Sequence, residues 1–137
     1  MKTTRLHHIL FAVVAVLIAS LACNAISPTP GASNFYMATD SEGTNRTTVF
    51  SPTDDFFIFF EVAGIEVGTK FQSRWYALDI EGVDPSTPVQ TIDYVSEPNI
   101  RSIYFQLSPL DSWSPGNYKV EIYMNDVKIG EQQFSVQ

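Results

Sequence analysis

Apolar and polar residues alternate along most of the chain after residue 34, which is the pattern of β-strands with one buried face. The clearest example is residues 114–136, whose first half carries an apolar residue at every second position. Asn125 and Asp126 follow, and both residue types tolerate the positive φ of a tight turn. The apolar phase then slips at Gly130, where we expect a β-bulge. This stretch therefore predicts a β-hairpin.

Further short apolar runs, separated by clusters of turn-forming residues, predict the rest of the fold. The strands are expected at residues 35–40, 47–50, 55–62, 70–80, 89–95 and 101–107. Trp75 is expected on the inward face of its strand. No helical periodicity follows the first 22 residues. The pattern predicts an all-β, two-sheet sandwich of about seven strands.

Two features resemble the immunoglobulin or fibronectin-type fold. They are Trp75 in the third main strand and the segment Leu110–Tyr118, which leads into the hairpin. In that fold a Tyr near the start of the sixth strand bonds to the backbone upstream, and Tyr118 matches this tyrosine corner. The paired cysteines of true immunoglobulin domains are missing. The resemblance covers residues 35–137, is shared with small bacterial surface lipoproteins of unassigned function, and implies a fold rather than an activity.

The first 22 residues have the pattern of a secretory signal, with Lys2 and Arg5 ahead of an apolar run at 9–19. The stretch Ser20-Leu21-Ala22-Cys23 resembles the lipobox of bacterial lipoproteins. In that family the cysteine becomes the diacylated first residue, so the resemblance implies that Cys23 is a lipidation site. An incidental cysteine or an uncleaved membrane helix is the alternative, although a membrane span needs about 18–25 apolar residues.

These interpretations divide the chain into a signal peptide at 1–22, a lipidated Cys and flexible tether at 23–34, and an immunoglobulin-like sandwich at 35–137. Two acyl chains hold a protein on a membrane far more firmly than one. We therefore expect the protein on the cell membrane or cell surface, outside the cytoplasm.

The charge balance is strongly acidic, with 15 acidic and 8 basic residues and a net charge of −7. Loss of residues 1–22 removes Lys2 and Arg5 and makes the net charge −9. Such a surface repels phosphate groups, so we expect no nucleic-acid partner and no electrostatic binding to anionic lipids.

The mature chain offers little catalytic chemistry. Both histidines lie in the signal, and Cys23 is the single cysteine. We therefore predict that the protein is not an enzyme, with no catalytic residue, cofactor or metal. Two acidic groups, at 40–45 and at Asp79, Glu81 and Asp84, lack the spacing of a helix-loop-helix calcium site and are interpreted as solvated loops.

Two sheet faces are candidate binding surfaces. If alternate residues of the strand 55–62 fill the core, Phe57 and Phe59 point outward and can form one patch with Tyr104, which would bind a protein or glycan. Cover by the N-terminal strand, by a loop or by the other sheet is the alternative. The second candidate face would combine side chains of two neighbouring strands, or would simply be solvated; its members are Arg74, Tyr76, Lys119, Glu121 and Tyr123.

The function expected from these features is that of a lipid-anchored, non-catalytic binding or structural module of the cell envelope. Its partners would be the membrane, through the lipid, and an envelope protein or glycan. The alternative is an inhibitor of an exported protease. Asn45-Arg-Thr-Thr48 resembles a loop of chagasin-like inhibitors, with Arg46 in place of that loop's Pro.

Overall fold

A computed structural model describes residues 31–137 as an all-β sandwich. The eight strands are β1 (Gly31–Ala38), β2 (Val49–Phe50), β3 (Phe56–Ala63), β4 (Lys70–Ala77), β5 (Gln90–Val95), β6 (Ser102–Leu107), β7 (Gly116–Met124) and β8 (Val127–Val136). One sheet has the order β1-β3-β6 and the other has the order β2-β8-β7-β4-β5. All neighbouring strands are antiparallel except β2 and β8, which are parallel. Residues 31–137 contain no helix of the length and hydropathy needed to span a bilayer.

The hairpin of β7 and β8 confirms the strongest sequence prediction. Asn125 and Asp126 form its turn with φ of 47° and 67°, as a two-residue type I′ turn requires. The predicted bulge is also present, because Ile122 pairs with Gly130 but Tyr123 pairs with Lys128, which leaves one residue of β8 unpaired. A Cβ at Gly130 would lie 2.6 Å from the ring of Phe35, so a glycine is needed here to let β1 approach.

Strand β1 is longer at its start than the sequence predicts. It begins at Gly31, and residues 31–33 pair with residues 61–63 of β3. Four residues that the sequence assigned to the tether therefore belong to the sheet. Asn34, with φ of 54°, lies at a register shift within β1. This irregularity breaks the period-2 pattern and explains why the alternation becomes readable only at residue 35.

The core between the two sheets is aromatic. Phe56, Ile58 and Phe60 all point inward from β3 and are at most 1% exposed. Trp75 faces them from β4, also 1% exposed, and its indole N–H donates to the hydroxyl of Ser73 at 3.0 Å. These burials confirm the inward faces predicted for β3 and β4 and supply the main hydrophobic stabilisation of the sandwich.

The predicted tyrosine corner is present. The hydroxyl of Tyr118 donates to the carbonyl of Ser114 at 2.7 Å. Beside it, the ring of Trp113 stacks on Phe56 with centroids 4.4 Å apart, and its indole N–H donates to the carbonyl of Asp54 at 2.8 Å. The segment before β7 is therefore fixed to the core at two points.

The two ends of the sandwich carry different loops. At the first, which we call the Gly31 end, Gly31 pairs with Ala63, and the loop 64–69 crosses from β3 to β4. At the second, the Leu107 end, Leu107 pairs with Phe56. The two ends are seven residue steps apart along β3, from Phe56 to Ala63, which is about 23 Å of extended strand. The loops at the Leu107 end are residues 39–48, 51–55, 78–89 and 108–115.

Candidate binding surfaces

The outer face of the three-stranded sheet brings the three predicted aromatic residues together. The ring centroid of Tyr104 lies 5.9 Å from that of Phe57 and 5.4 Å from that of Phe59. All three point away from the main core, as the alternation of β3 predicts.

Strand β1 covers most of this aromatic group. Tyr36 stacks on Phe59 with centroids 5.1 Å apart and planes 8° apart, and the guanidinium of Arg46 lies 3.6 Å above the ring of Tyr36. Phe57 and Phe59 are only 4% and 6% exposed, whereas Tyr104 is 50% exposed. Two of the alternatives left open by the sequence are therefore observed: the N-terminal strand covers the group, and loop 39–48 adds to this cover through Arg46 and Gly43. Phe57 and Phe59 belong to a small second core, and Tyr104 packs against it while remaining half exposed.

The second candidate face exists because β4 and β7 are neighbours in the five-stranded sheet. Arg74 pairs with Glu121 and Tyr76 with Lys119, so their side chains share the outer face. The guanidinium of Arg74 lies 3.9 Å above the ring of Tyr123, and the ammonium of Lys119 lies 4.6 Å from the ring centroid of Tyr76. Cation–π contacts of this kind hold long side chains flat against a sheet.

Glu121 is the centre of this face. Although its residue is only 7% exposed, its carboxylate accepts hydrogen bonds from Lys119 at 2.8 Å, from the hydroxyl of Tyr123 at 2.8 Å and from Lys128 at 3.0 Å. Burial by itself raises the pKa of Glu121, but these donors outweigh it and lower the pKa to about 2. Glu121 is therefore a fixed negative charge with its acceptor sites occupied, not a carboxyl group that exchanges a proton near neutral pH.

Two members of this network were missed from the sequence. Lys128 reaches Glu121 and also pairs with Glu131, and its pKa is raised first by the hydrogen bond to Glu131. The bulge in β8 places Lys128 opposite Tyr123, on the outer face. The signal was the phase slip at Gly130, because the shifted register decides which residues of β8 share a face with β7.

The carboxylates of the acidic loops at the Leu107 end accept hydrogen bonds from backbone amides and polar side chains. Asp40 accepts hydrogen bonds from the amides of Glu42, Thr44 and Asn45. Asp79 accepts from the amide and side chain of Asn117, at 2.6 and 2.7 Å. The pKa of Asp40 is lowered chiefly by the Thr44 amide, and that of Asp79 chiefly by the Asn117 amide.

Asp84 closes its loop in the same way, accepting from the hydroxyl of Ser86 at 2.7 Å and from that of Thr87 at 3.0 Å. The Ser86 hydroxyl is the main cause of the lowered pKa of Asp84. Asp40 and Asp84 therefore cap the turns that they begin, whereas Asp79 joins its loop to the start of β7. Within residues 31–137, no three side chains of the usual ligand types are grouped to hold a metal ion.

A groove at the Leu107 end was not predicted from the sequence. It has a volume of about 380 Å³, and its apolar lining comes from Val89, Leu107, Pro109, Leu110 and Trp113. Leu110 is fully exposed and Val89 is 45% exposed. The available signal was an apolar residue in a loop of polar ones, since Leu110 stands between Pro109 and Asp111.

Cys23, the predicted lipidation site, lies outside the described residues.

Comparisons with known proteins agree with the fold. The sequence matches no protein family and no curated protein. An immunoglobulin-like protein from Pseudomonas aeruginosa superposes with a TM-score of 0.56 at 10% identity, over 82% of this chain and all of that protein. A DNA glycosylase from Pseudomonas fluorescens, AlkC bound to DNA, superposes with a TM-score of 0.50 at 8% identity. In that second case 79% of this chain matches 30% of the glycosylase.

At such low identity these likenesses concern the fold alone. Together with the strand order and the tyrosine corner, they show that residues 31–137 form an immunoglobulin-like β-sandwich.

Proposed function

We propose that this protein is a non-catalytic binding module of the cell envelope, held on the outer side of a membrane by a lipid on Cys23. The signal-like start of the sequence and the lipobox-like stretch before Cys23 support the anchor. The immunoglobulin-like sandwich supports a module that presents a surface, because this fold serves widely as a scaffold for binding loops.

The course of β1 is the observation that carries the proposal. The chain enters the sandwich at Gly31, and β1 runs from there towards the Leu107 end. Only residues 24–30 separate Cys23 from this strand, so Cys23 and Gly31 are at most about 29 Å apart along an extended chain. A lipid on Cys23 would therefore hold the Gly31 end near the membrane and turn the loops of the Leu107 end away from it.

The non-catalytic part of the proposal rests on what the carboxylates do. Asp40 and Asp84 cap loops, Asp79 binds Asn117 of β7, and Glu121 is held ionised by three donors. Such groups stabilise the scaffold and lie in environments that oppose protonation near neutral pH.

The inhibitor alternative gains no support from the loop on which it was based. Arg46 lies on the ring of Tyr36, and the amide of Thr47 donates to the carbonyl of Met37 at 3.0 Å. Residues 45–48 are therefore packed and hydrogen-bonded against β1.

The anchor is tested by growing a diderm bacterium that expresses the full-length chain with an alkyne analogue of palmitate. We expect label on the wild-type protein and none on Cys23→Ala, since the thiol is the acylated group. Ser20→Leu, which changes the same stretch but leaves the thiol of Cys23 in place, is the matched control and should be labelled like wild type. An unlabelled wild-type protein in the membrane fraction would indicate an uncleaved helix and overturn the proposal, as would equal labelling of Cys23→Ala.

A further inference from the structure

We propose that the groove at the Leu107 end is the docking site for a cationic polypeptide segment, one of whose apolar side chains lies against Leu110 and Trp113. The orientation of this groove away from the membrane rests on the proposed anchor. The shape of the groove and the charge around it are independent of that anchor.

The groove is built to receive an apolar side chain. Leu110 is fully exposed and Val89 is 45% exposed, although burying a leucine side chain is worth about 2 kcal/mol. A volume of about 380 Å³ accommodates one large side chain and part of its backbone. The unburied Leu110 is thus an available source of binding energy on the surface of the domain.

The floor of the groove is rigid. Trp113 stacks on Phe56, its indole N–H donates to Asp54, and its amide donates to the carbonyl of Pro52 at 2.8 Å. The binding surface is therefore preformed, and little of the free energy of binding is lost in ordering it.

The negative charge around the groove favours a positively charged partner. The groove is lined from loops 78–89 and 108–115 and the strand residues beside them, and loop 51–55 accepts the hydrogen bonds of Trp113. These three loops contain six acidic residues and no basic one. The acidic residues are Asp54, Asp55, Asp79, Glu81, Asp84 and Asp111. Hydrogen bonds lower the pKa of both Asp79 and Asp84, which keeps these two charged. An apolar groove within a negative field favours a partner that carries both an apolar residue and positive charge.

The same charges disfavour other occupants. A second copy of the chain would bring an equally acidic surface against this one, and an anionic membrane would be repelled in the same way. A basic polypeptide is the occupant to which the charge is complementary.

The inference is tested with the full-length chain in zwitterionic nanodiscs and three heptapeptides. The first has one central leucine flanked by six lysines, the second replaces the leucine by glycine, and the third replaces the lysines by glutamates. We expect the first to bind about thirty-fold more tightly than the second, the factor that corresponds to about 2 kcal/mol for one buried leucine side chain, and we expect no binding of the third. The NMR signal of the Trp113 indole N–H should shift on binding, whereas that of the buried Trp75 should not.

Two variants and their matched controls locate the site. Leu110→Ser should weaken the leucine-containing peptide about ten-fold, and Asp111→Asn should weaken it less and reduce its salt dependence. Val127→Ser and Asp126→Asn are the matched controls at the Gly31 end: the first also replaces an exposed aliphatic residue by serine, the second makes the same Asp-to-Asn change, and both should leave binding unchanged.

Equal binding of the leucine and glycine peptides would overturn the inference. So would equal effects of Leu110→Ser and Val127→Ser, binding of the glutamate peptide, or concentration-dependent dimers that Leu110→Ser abolishes. None of these results depends on lipid at Cys23. The docking site can therefore be disproved while the lipid anchor is confirmed, and the lipid anchor can be disproved while the docking site is confirmed.

Discussion

The ring of Tyr36 lies parallel to that of Phe59, with centroids 5.1 Å apart, and the guanidinium of Arg46 covers its other face. This stack closes the outer face of the three-stranded sheet. It explains why a strand with large apolar side chains on both faces does not leave Phe57 and Phe59 in water.

Phe59→Ala should therefore destabilise the domain. Removing a buried aromatic ring costs about 3 kcal/mol, through lost burial and the cavity that remains. Tyr104→Ala is the control, because this half-exposed ring should cost less than about 1 kcal/mol. Urea unfolding followed by tryptophan fluorescence measures both, and similar losses in the two variants would mean that Phe59 is not part of a second core.

Glu121→Gln should remove a pH-dependent part of the stability. The pKa of Glu121 is lowered from 4.5 to about 2 in the folded protein, so the folded state favours the ionised form. The stabilisation is complete above pH 4.5 and is lost as the pH falls towards 2. At neutral pH we expect Glu121→Gln to cost roughly 2 kcal/mol.

The difference between Glu121→Gln and wild type should shrink steadily across that acidic window. Unfolding midpoints in urea measured at several pH values give this difference directly. A difference that stays constant down to pH 2 would show that the network around Glu121 contributes by packing rather than by charge.

Tyr118→Phe tests the tyrosine corner. The substitution removes the hydroxyl that donates to Ser114 and leaves the ring in place, so we expect a loss of about 1 kcal/mol. Tyr104→Phe removes a hydroxyl from a half-exposed ring and should change stability by no more than about 0.5 kcal/mol. If both variants unfold at the wild-type urea concentration, the hydrogen bond at the corner contributes nothing measurable.

Asp126→Gly should stabilise the protein. Asp126 has φ of 67°, in the left-handed region where a glycine carries no steric penalty. The gain expected for relieving it, partly offset by the greater freedom of glycine in the unfolded chain, is about 0.5 kcal/mol. Val127→Ser, one residue further on, should give no gain. A lower melting temperature of Asp126→Gly in calorimetry would contradict this interpretation of the turn.

The elements defined by local sequence were predicted well. Alternation located the hairpin, Asn125 and Asp126 defined its turn, and the phase slip at Gly130 marked its bulge. Tyr118 indicated the corner because its position relative to the strand is characteristic of the fold. In each case the information lies within a few residues of the feature that it specifies.

The features that were missed depend on contacts between distant parts of the chain. The start of β1 at Gly31 depends on pairing with the end of β3. The cover over Phe59 was one of several alternatives and could not be selected, because it depends on Tyr36 and Arg46. The groove joins Val89 to the segment 107–113, which enters from the other sheet. Neighbouring sequence indicates none of these encounters, because the register and the packing of the two sheets must be known first.

The central claim is that a short lipidated tether holds this sandwich on a membrane, with its Leu107 end facing away from the membrane. The most direct measurement is the intact mass of the protein extracted from membranes of an expressing bacterium. We predict a chain that begins at Cys23 and carries the added mass of a diacylglyceryl group. A mass that corresponds to the unmodified chain beginning at Met1 would contradict the claim.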